Sequence, residues 1–247
     1  MPERRGEEPD RPGQRDYRRQ QAAHWHDRPD LAHPRMPTDR SPPLALPAAT
    51  AATLAVLAWS FWQPYDRATW WMEVIPVFVV LPLLWFTHRR VPLTPLLYTL
   101  IALHAAVLAI GGHYTYARVP AGFWLQEWFE LGRNHYDRLG HLMQGFVPAV
   151  AARELLLRTT PLRTSGWLFT LITLSCLGIS ALYELIEFGA AMGLGQGADE
   201  FLGTQGDPWD TQKDMLMAWI GAMLAQLLLP RWHDAQLARL ARQPARP

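Results

Sequence analysis

The 247-residue sequence has one cysteine, Cys176, and one lysine, Lys213. A single cysteine excludes an internal disulfide and a cysteine-rich metal centre. The scarcity of lysine beside abundant arginine reads as genomic base bias rather than function. Charge is scarce too, at 18% of residues against about 25% in an ordinary soluble domain. The net charge of +1 excludes the strongly basic balance of a nucleic-acid binder. A secretory leader is not expected in residues 1–40. They are too long and too acidic for one, and they lack a compact apolar region before a small-residue cleavage site.

What remains is apolar. Hydrophobic residues make up 49% of the chain, and 12 residues are tryptophan. The mean hydropathy of -0.07 hides this, because a polar, arginine-rich tail dilutes the apolar body. Met1–Arg40 holds nine arginines and eight acids among few large apolar side chains. Such a segment cannot offset the entropy of ordering itself, so a disordered Arg/Pro-rich tail is expected over 1–40.

Six apolar runs follow. They are Leu44–Trp62, Trp70–Phe86, Leu93–Gly112, a weaker one from about Leu139 to Leu157, Gly166–Leu194 and Met215–Pro230. A helix needs about 20 residues to cross the hydrocarbon core. The first, third and fifth runs meet this, and the others need their flanks or some tilt. A soluble helix would show a polar stripe that several of these runs lack. Trp62, Trp70, Trp71, Trp124, Trp128 and Trp209 sit at run ends, as an interfacial belt requires. The expected fold is an all-α polytopic membrane helical bundle of about six transmembrane helices over 41–232. A short polar tail, 233–247, is expected to follow it.

Charge sets the expected orientation. The connections at 88–92 and 153–165, with the tail at 231–247, hold nine arginines and two acids. The connections at 63–69, 114–138 and 195–213 hold five basic residues and eight acids. The positive-inside rule then places both termini in the cytoplasm of a bacterial inner-membrane protein. Val119–Arg138 reads as a stretch lying flat on the outer leaflet.

Ionisable groups within a membrane are costly and mark candidate sites. Asp137 and His141 are four apart and share a helix face, which Gln144 and Pro148 continue. Glu184 and Glu187 are three apart, and Asp210 and Asp214 four apart, with Asp207 leading into the last run. Ala218, Gly221 and Ala225 continue below Asp214 as a small-residue stripe suited to close packing. By the expected topology these residues, with His113, reach the outer half of one bundle. Histidine and carboxylates suit Zn, Mn, Mg or Fe, so His113, His141, Glu184, Glu187, Asp210 and Asp214 form a candidate divalent-metal set. The same groups could work as an acid–base system, with Asp137, His141, Glu184 and Asp214 as the catalytic candidates. The structural alternative pairs Glu184 and Glu187 with Arg133 or Arg138 in buried ion pairs. His104, mid-span, and Glu73 are further candidates for the same cavity.

The polar groups lie at one level, which suits a shallow site more than a conduit. Hydrolysis or group transfer on a lipid-linked substrate is the favoured chemistry, with membrane lipid as the surroundings. A phosphate-bearing substrate would want positive charge, and only Arg118, Arg133, Arg138 and Lys213 stand on that side. A transporter or proton-coupled permease would need a cavity past His104 to the inner face. A non-catalytic structural membrane protein would need only satisfied polar groups.

"GGHYTYARVP", "NHYDRLGHLMQGFVPAVAARELLLR", "SALYELIEF" and "FLGTQGDPWDTQKDM" resemble the signature blocks of the YjdF-like family of bacterial inner-membrane proteins. The likeness covers roughly Leu44 to Trp232. It implies a multi-pass membrane protein and carries over no catalytic residue. A more remote likeness is to VanZ-like membrane proteins, onto whose pattern Asp137, His141, Glu184 and Asp214 with Gly221 can be laid. Ala218 stands where that pattern has an asparagine.

Overall fold

The computed structural model describes residues 44–194 and 204–242. The expected tail at 1–40 and the end of the C-terminal tail, 243–247, lie outside them. Eight helices and no strand occur among the described residues. They are α1 (Ala45–Phe61), α2 (Arg67–Thr87), α3 (Pro95–Tyr114), α4 (Pro120–Trp128), α5 (Tyr136–Thr159), α6 (Gly166–Leu194), α7 (Asp210–Leu228) and α8 (Pro230–Arg242).

Each of the six apolar runs is a helix. By length and composition α2, α3 and α6 can each cross a membrane, and α7 with α8 would make a fourth span broken by a 65° bend. α1 is apolar but only 17 residues long. α5 has the length, at 24 residues, but carries Asp137, Arg138, Arg153, Glu154 and Arg158. It passes through the middle of the bundle, where these side chains find partners.

Local chemistry fixes the ends. Asp66 caps α2 by accepting from the Thr69 amide at 2.7 Å. That bond holds its carboxyl below the usual 3.8. Thr94 caps α3 by accepting from the Leu97 amide at 3.3 Å, with Pro95 in the first turn. α7 begins five residues before the apolar run does, because Asp210, Thr211, Gln212 and Lys213 form its first turn.

α5 and α7 lie closest together. A β-carbon on Gly145 would collide with the Ala218 carbonyl, and one on Gly221 with the Leu142 carbonyl. The Ala218–Gly221–Ala225 stripe therefore does pack a neighbour, and Gly145 supplies the matching recess. This contact sets Asp214 beside Arg138 and His141.

The half of the bundle holding the N-terminus of α3 is filled by a core that includes Leu46, Leu97, Tyr98, Val147, Val150 and Ile172, all 3% exposed or less. Exposed Trp62, Trp124, Trp128 and Trp209 mark one end, and exposed Trp167 and Trp232 the other. The helix within the stretch expected to lie flat, 119–138, is short. α4 ends at Trp128, and Glu130 takes a left-handed backbone angle, φ 51°. The chain then leaves the helix so that Arg133 and Arg138 can turn inward.

The segment read as a polar tail from 233 is a helix as far as Arg242. His233, Gln236, Leu237 and Leu240 lie on its inner face. His233 is 1% exposed and its Nε2 lies 3.1 Å from Glu154 Oε2. Glu154, 0% exposed, also accepts from the Thr94 hydroxyl at 2.8 Å, the Thr94 amide at 3.0 Å and Arg158 at 2.8 Å. The Gln236 carbonyl accepts from the Leu96 amide at 2.9 Å. One buried carboxylate thus ties α3, α5 and α8 together.

Candidate functional site

The acidic lead-in to α7 is built as a clamp. Thr204–Asp207 is a tight turn closed by Asp207 N donating to Thr204 O at 2.9 Å. Gln205 and Gly206 both have positive φ, 47° and 82°. That is the pattern of a type I′ turn, which favours glycine. The Gln205 side chain pairs with the Asn134 backbone in both directions, accepting from its N–H at 3.1 Å and donating to its carbonyl at 2.9 Å. The Asn134 side chain in turn donates to Val119 O at 3.0 Å and accepts from Tyr136 N at 3.0 Å. The start of α5 is thereby pinned to the start of α7.

Two arginines then cross the gap. Arg138 donates to Asp214 and, at 2.5 Å, to Asp210. Arg133 donates to the same Asp210 oxygen at 2.6 Å and to Thr204 O at 2.9 Å. Asp207 accepts from Lys213 at 2.6 Å and from the Trp209 amide at 3.0 Å. The Lys213 bond, and then the Trp209 amide, hold the Asp207 carboxyl below its usual range. Arg118 stacks on the Tyr65 ring, 4.2 Å from its centroid. Arg67 lies over the Phe61 ring, 5.2 Å from its centroid, so all five basic side chains at this end are engaged.

Behind the clamp lies His141, 5% exposed. Its Nδ1 sits 3.0 Å from Gln144 Oε1. An amide oxygen only accepts, so Nδ1 carries a proton and Nε2 faces the carboxylates. Nε2 is 3.6 Å from Asp137 Oδ1, 3.6 Å from Glu184 Oε1 and 3.8 Å from Asp214 Oδ1. Glu184 Oε1 is buried and has no hydrogen-bond partner. One possible ligand atom from each of Asp137, His141 and Asp214 lies within 4.8 Å of the others, and the same holds for His141, Glu184 and Glu187.

This cluster borders a cavity of about 490 Å³. Its polar end is formed by Glu73, Tyr116, Asp137, His141, Tyr183 and Glu187, and its depth by side chains such as Val80, Ile101, Val147 and Ile179. The Tyr183 hydroxyl donates to Glu73 at 3.3 Å, joining α6 to α2. Otherwise α2 and α6 face each other without close helix packing. The Tyr116 ring has room because Gly111 and Gly140 carry no β-carbon. Pro148, on the wall, has no amide to give the Gln144 carbonyl, so that acceptor loses its helical partner.

Of the residues singled out from the sequence, Asp137, His141, Glu184, Glu187 and Asp214 gather within one cluster. Asp210 adjoins it, but its Oδ1 is held by Arg133 and Arg138. His113 stands apart and belongs to neither ligand group. It is stacked on Trp59 at 4.8 Å, with Nδ1 2.9 Å from the Ser60 carbonyl. Arg133 and Arg138 pair with the α7 aspartates rather than with Glu184 and Glu187, because the clamp brings α7 to them. Glu73 and His104 both reach the cavity wall. Tyr116 and Gln144 complete the polar end. Gln144 was visible as the continuation of the Asp137–His141 face, while nothing in the local pattern around Tyr116 pointed inward.

The comparisons agree with the helical membrane architecture. A family described as "Predicted membrane protein (DUF2238)" matches residues 45–235. The chain is 52% identical over 197 residues to the inner membrane protein YjdF of Escherichia coli (strain K12), covering 80% of this chain and 94% of that protein. No solved structure matches. None of these matches bears on the VanZ-like resemblance. With most of its length covered by both matches, the chain belongs to the DUF2238 family of predicted membrane proteins and is an inner-membrane protein of the YjdF kind.

Proposed function

We propose that this chain binds an amphiphile and acts on its head group. The apolar tail lies in the 490 Å³ cavity and the head meets His141. The carrying observation is the division of that cavity: ionisable at one end, aliphatic along its depth, and walled by two helices that do not close on each other. A lipid-linked substrate could enter between α2 and α6 without leaving the membrane. His141 Nε2, oriented through Nδ1 by Gln144, is the base or acid for hydrolysis or group transfer. Asp137 and Glu184 set its charge.

A permease reading has less support. Below His104 the cavity reaches Ile101 and Ala151, and next along α3 come Leu97 and Tyr98, buried in the packed core. A purely structural role does not account for Glu184 Oε1, His104 Nε2 and Ser180 Oγ, which are buried without partners. By the charge asymmetry of its ends, the site faces outward and both termini face the cytoplasm. Reporter fusions at residues 90 and 205 test this, with a cytoplasmic signal from the second as the contrary result.

The test of amphiphile binding is native mass spectrometry of the full chain released from membranes in mild detergent. Wild type should retain a lipid-sized adduct. Ala151→Phe, which fills the apolar depth, should lose it while keeping its helical spectrum. Retention by both proteins, or by neither, counts against the proposal.

A further inference from the structure

We propose that His141 Nε2, Glu184 Oε1 and a carboxylate oxygen of Glu187 hold one divalent cation of the Zn²⁺/Mn²⁺ class at the polar end of the cavity. The proposal rests on four features. Glu184 and Glu187 are three residues apart on α6, so one helix face delivers both. α5 delivers His141 from the opposite side, and the ligand atoms lie within 4.8 Å of one another. Gln144 fixes the imidazole so that Nε2 presents its lone pair inward, as a partner to a metal-bound histidine does.

The fourth feature is the unsatisfied oxygen. Glu184 is 8% exposed, and its Oε1 has no hydrogen-bond donor while lying 3.6 Å from His141 Nε2. That spacing is too long for a hydrogen bond. It matches the separation of about 3.3–3.6 Å between two ligand atoms that are each about 2.0–2.2 Å from one tetrahedral ion. Buried charges are normally paired or bound to a metal. Here Arg133, Arg138 and Lys213 are already committed to Asp207, Asp210 and Asp214. Imidazole with carboxylate oxygens suits Zn²⁺ or Mn²⁺ better than a soft ion.

The cation deepens the proposed site, and its relation to substrate rests on that reading: with the ion on Nε2, His141 serves as a ligand, and Asp137, 3.6 Å away, is the group left to take or give a proton. With the nearby arginines engaged, the ion is the positive charge that an anionic head group such as a phosphate would meet. Binding of the ion itself needs no lipid and is measured separately.

The experiment uses the full chain in detergent, stripped with EDTA and titrated with zinc or manganese chloride by calorimetry. The bound metal is then counted by mass spectrometry after desalting. Wild type should bind one ion per chain, and Glu184→Gln and Gln144→Ala should each weaken binding by about 10–100-fold. A wild-type stoichiometry near zero for both ions overturns the proposal, as does unchanged affinity in Glu184→Gln. If Glu184→Gln does not fold, Glu187→Gln, whose side chain is only half-buried, takes its place under the same criterion. Metal bound without a retained lipid would leave the cation standing and remove the amphiphile. Lipid retained without metal would do the reverse.

Discussion

Two polar clusters are buried at opposite ends of α5, and they are built differently. In the one around Glu154 the carboxylate itself is saturated, although Nη2 of the neighbouring Arg153 is buried without a partner. Both carboxylate oxygens accept, from the Thr94 amide and hydroxyl, from Arg158 and from His233, within 2.8–3.3 Å. The one around His141 is open, with spacings of 3.6–3.8 Å and an unpartnered oxygen on Glu184. A saturated network resists change and fixes geometry. An open one lowers stability and leaves atoms available to a ligand. The difference assigns the first cluster to holding α3, α5 and α8 together and the second to function. Arg138 belongs to the holding side, although it lies only one turn of α5 from His141.

That contrast can be broken from the saturated side first. Glu154→Gln should lower stability by about 3–5 kcal/mol, because Arg158 loses its buried partner. Arg138→Met should cost a similar or slightly smaller amount by leaving Asp214 without its cation and Asp210 with Arg133 alone. Thermal melts in one detergent measure both. Gly221→Leu should follow at about 1–3 kcal/mol, from overpacking against Leu142. It should also push Asp214 away from Arg138. Cysteine cross-linking between α5 and α7 would read that displacement. The smallest effect is expected at the exposed rim. The Asp207 carboxyl is held low by Lys213, so its contribution is full above the ordinary value of 3.8 and fades as pH falls through the lowered one. Lys213→Met should flatten that acid-side loss in a pH series of melts and leave neutral pH nearly unchanged.

Much of the architecture could be read from the chain because apolar runs in a membrane are long and unambiguous. Gly166–Leu194 was bounded at the residues where α6 begins and ends. The start of α7 was missed because Asp210–Lys213 is polar, and a hydropathy pattern cannot tell a polar helical turn from a loop. Its face was still legible from the four-residue spacing of Asp210 and Asp214. The site was legible as far as helix periodicity carries. Pairs on one helix were legible, and so was the convergence of His141, Glu184 and Asp214, whereas the ion pairs between helices were not. Arg138 is bound to Asp214, 76 residues away, and Glu154 to His233, 79 residues away. His113 looked equivalent to His141 in sequence, yet the end of α3 turns it toward Ser60 and Trp59. In the C-terminal segment, the spacing of His233, Gln236, Leu237 and Leu240 was a helical signal that the arginines between them obscured.

The most direct test of the contrast is a pair of thermal melts on metal-free protein in the same detergent, Glu154→Gln beside Glu184→Gln. The account predicts a steep fall in Tm for Glu154→Gln. For Glu184→Gln it predicts no fall or a small rise, because neutralising a carboxylate with an unpartnered oxygen removes a cost. A fall in Glu184→Gln as large as that in Glu154→Gln would mean that the His141 cluster is as much a part of the scaffold as the Glu154 one, and the functional assignment would fail.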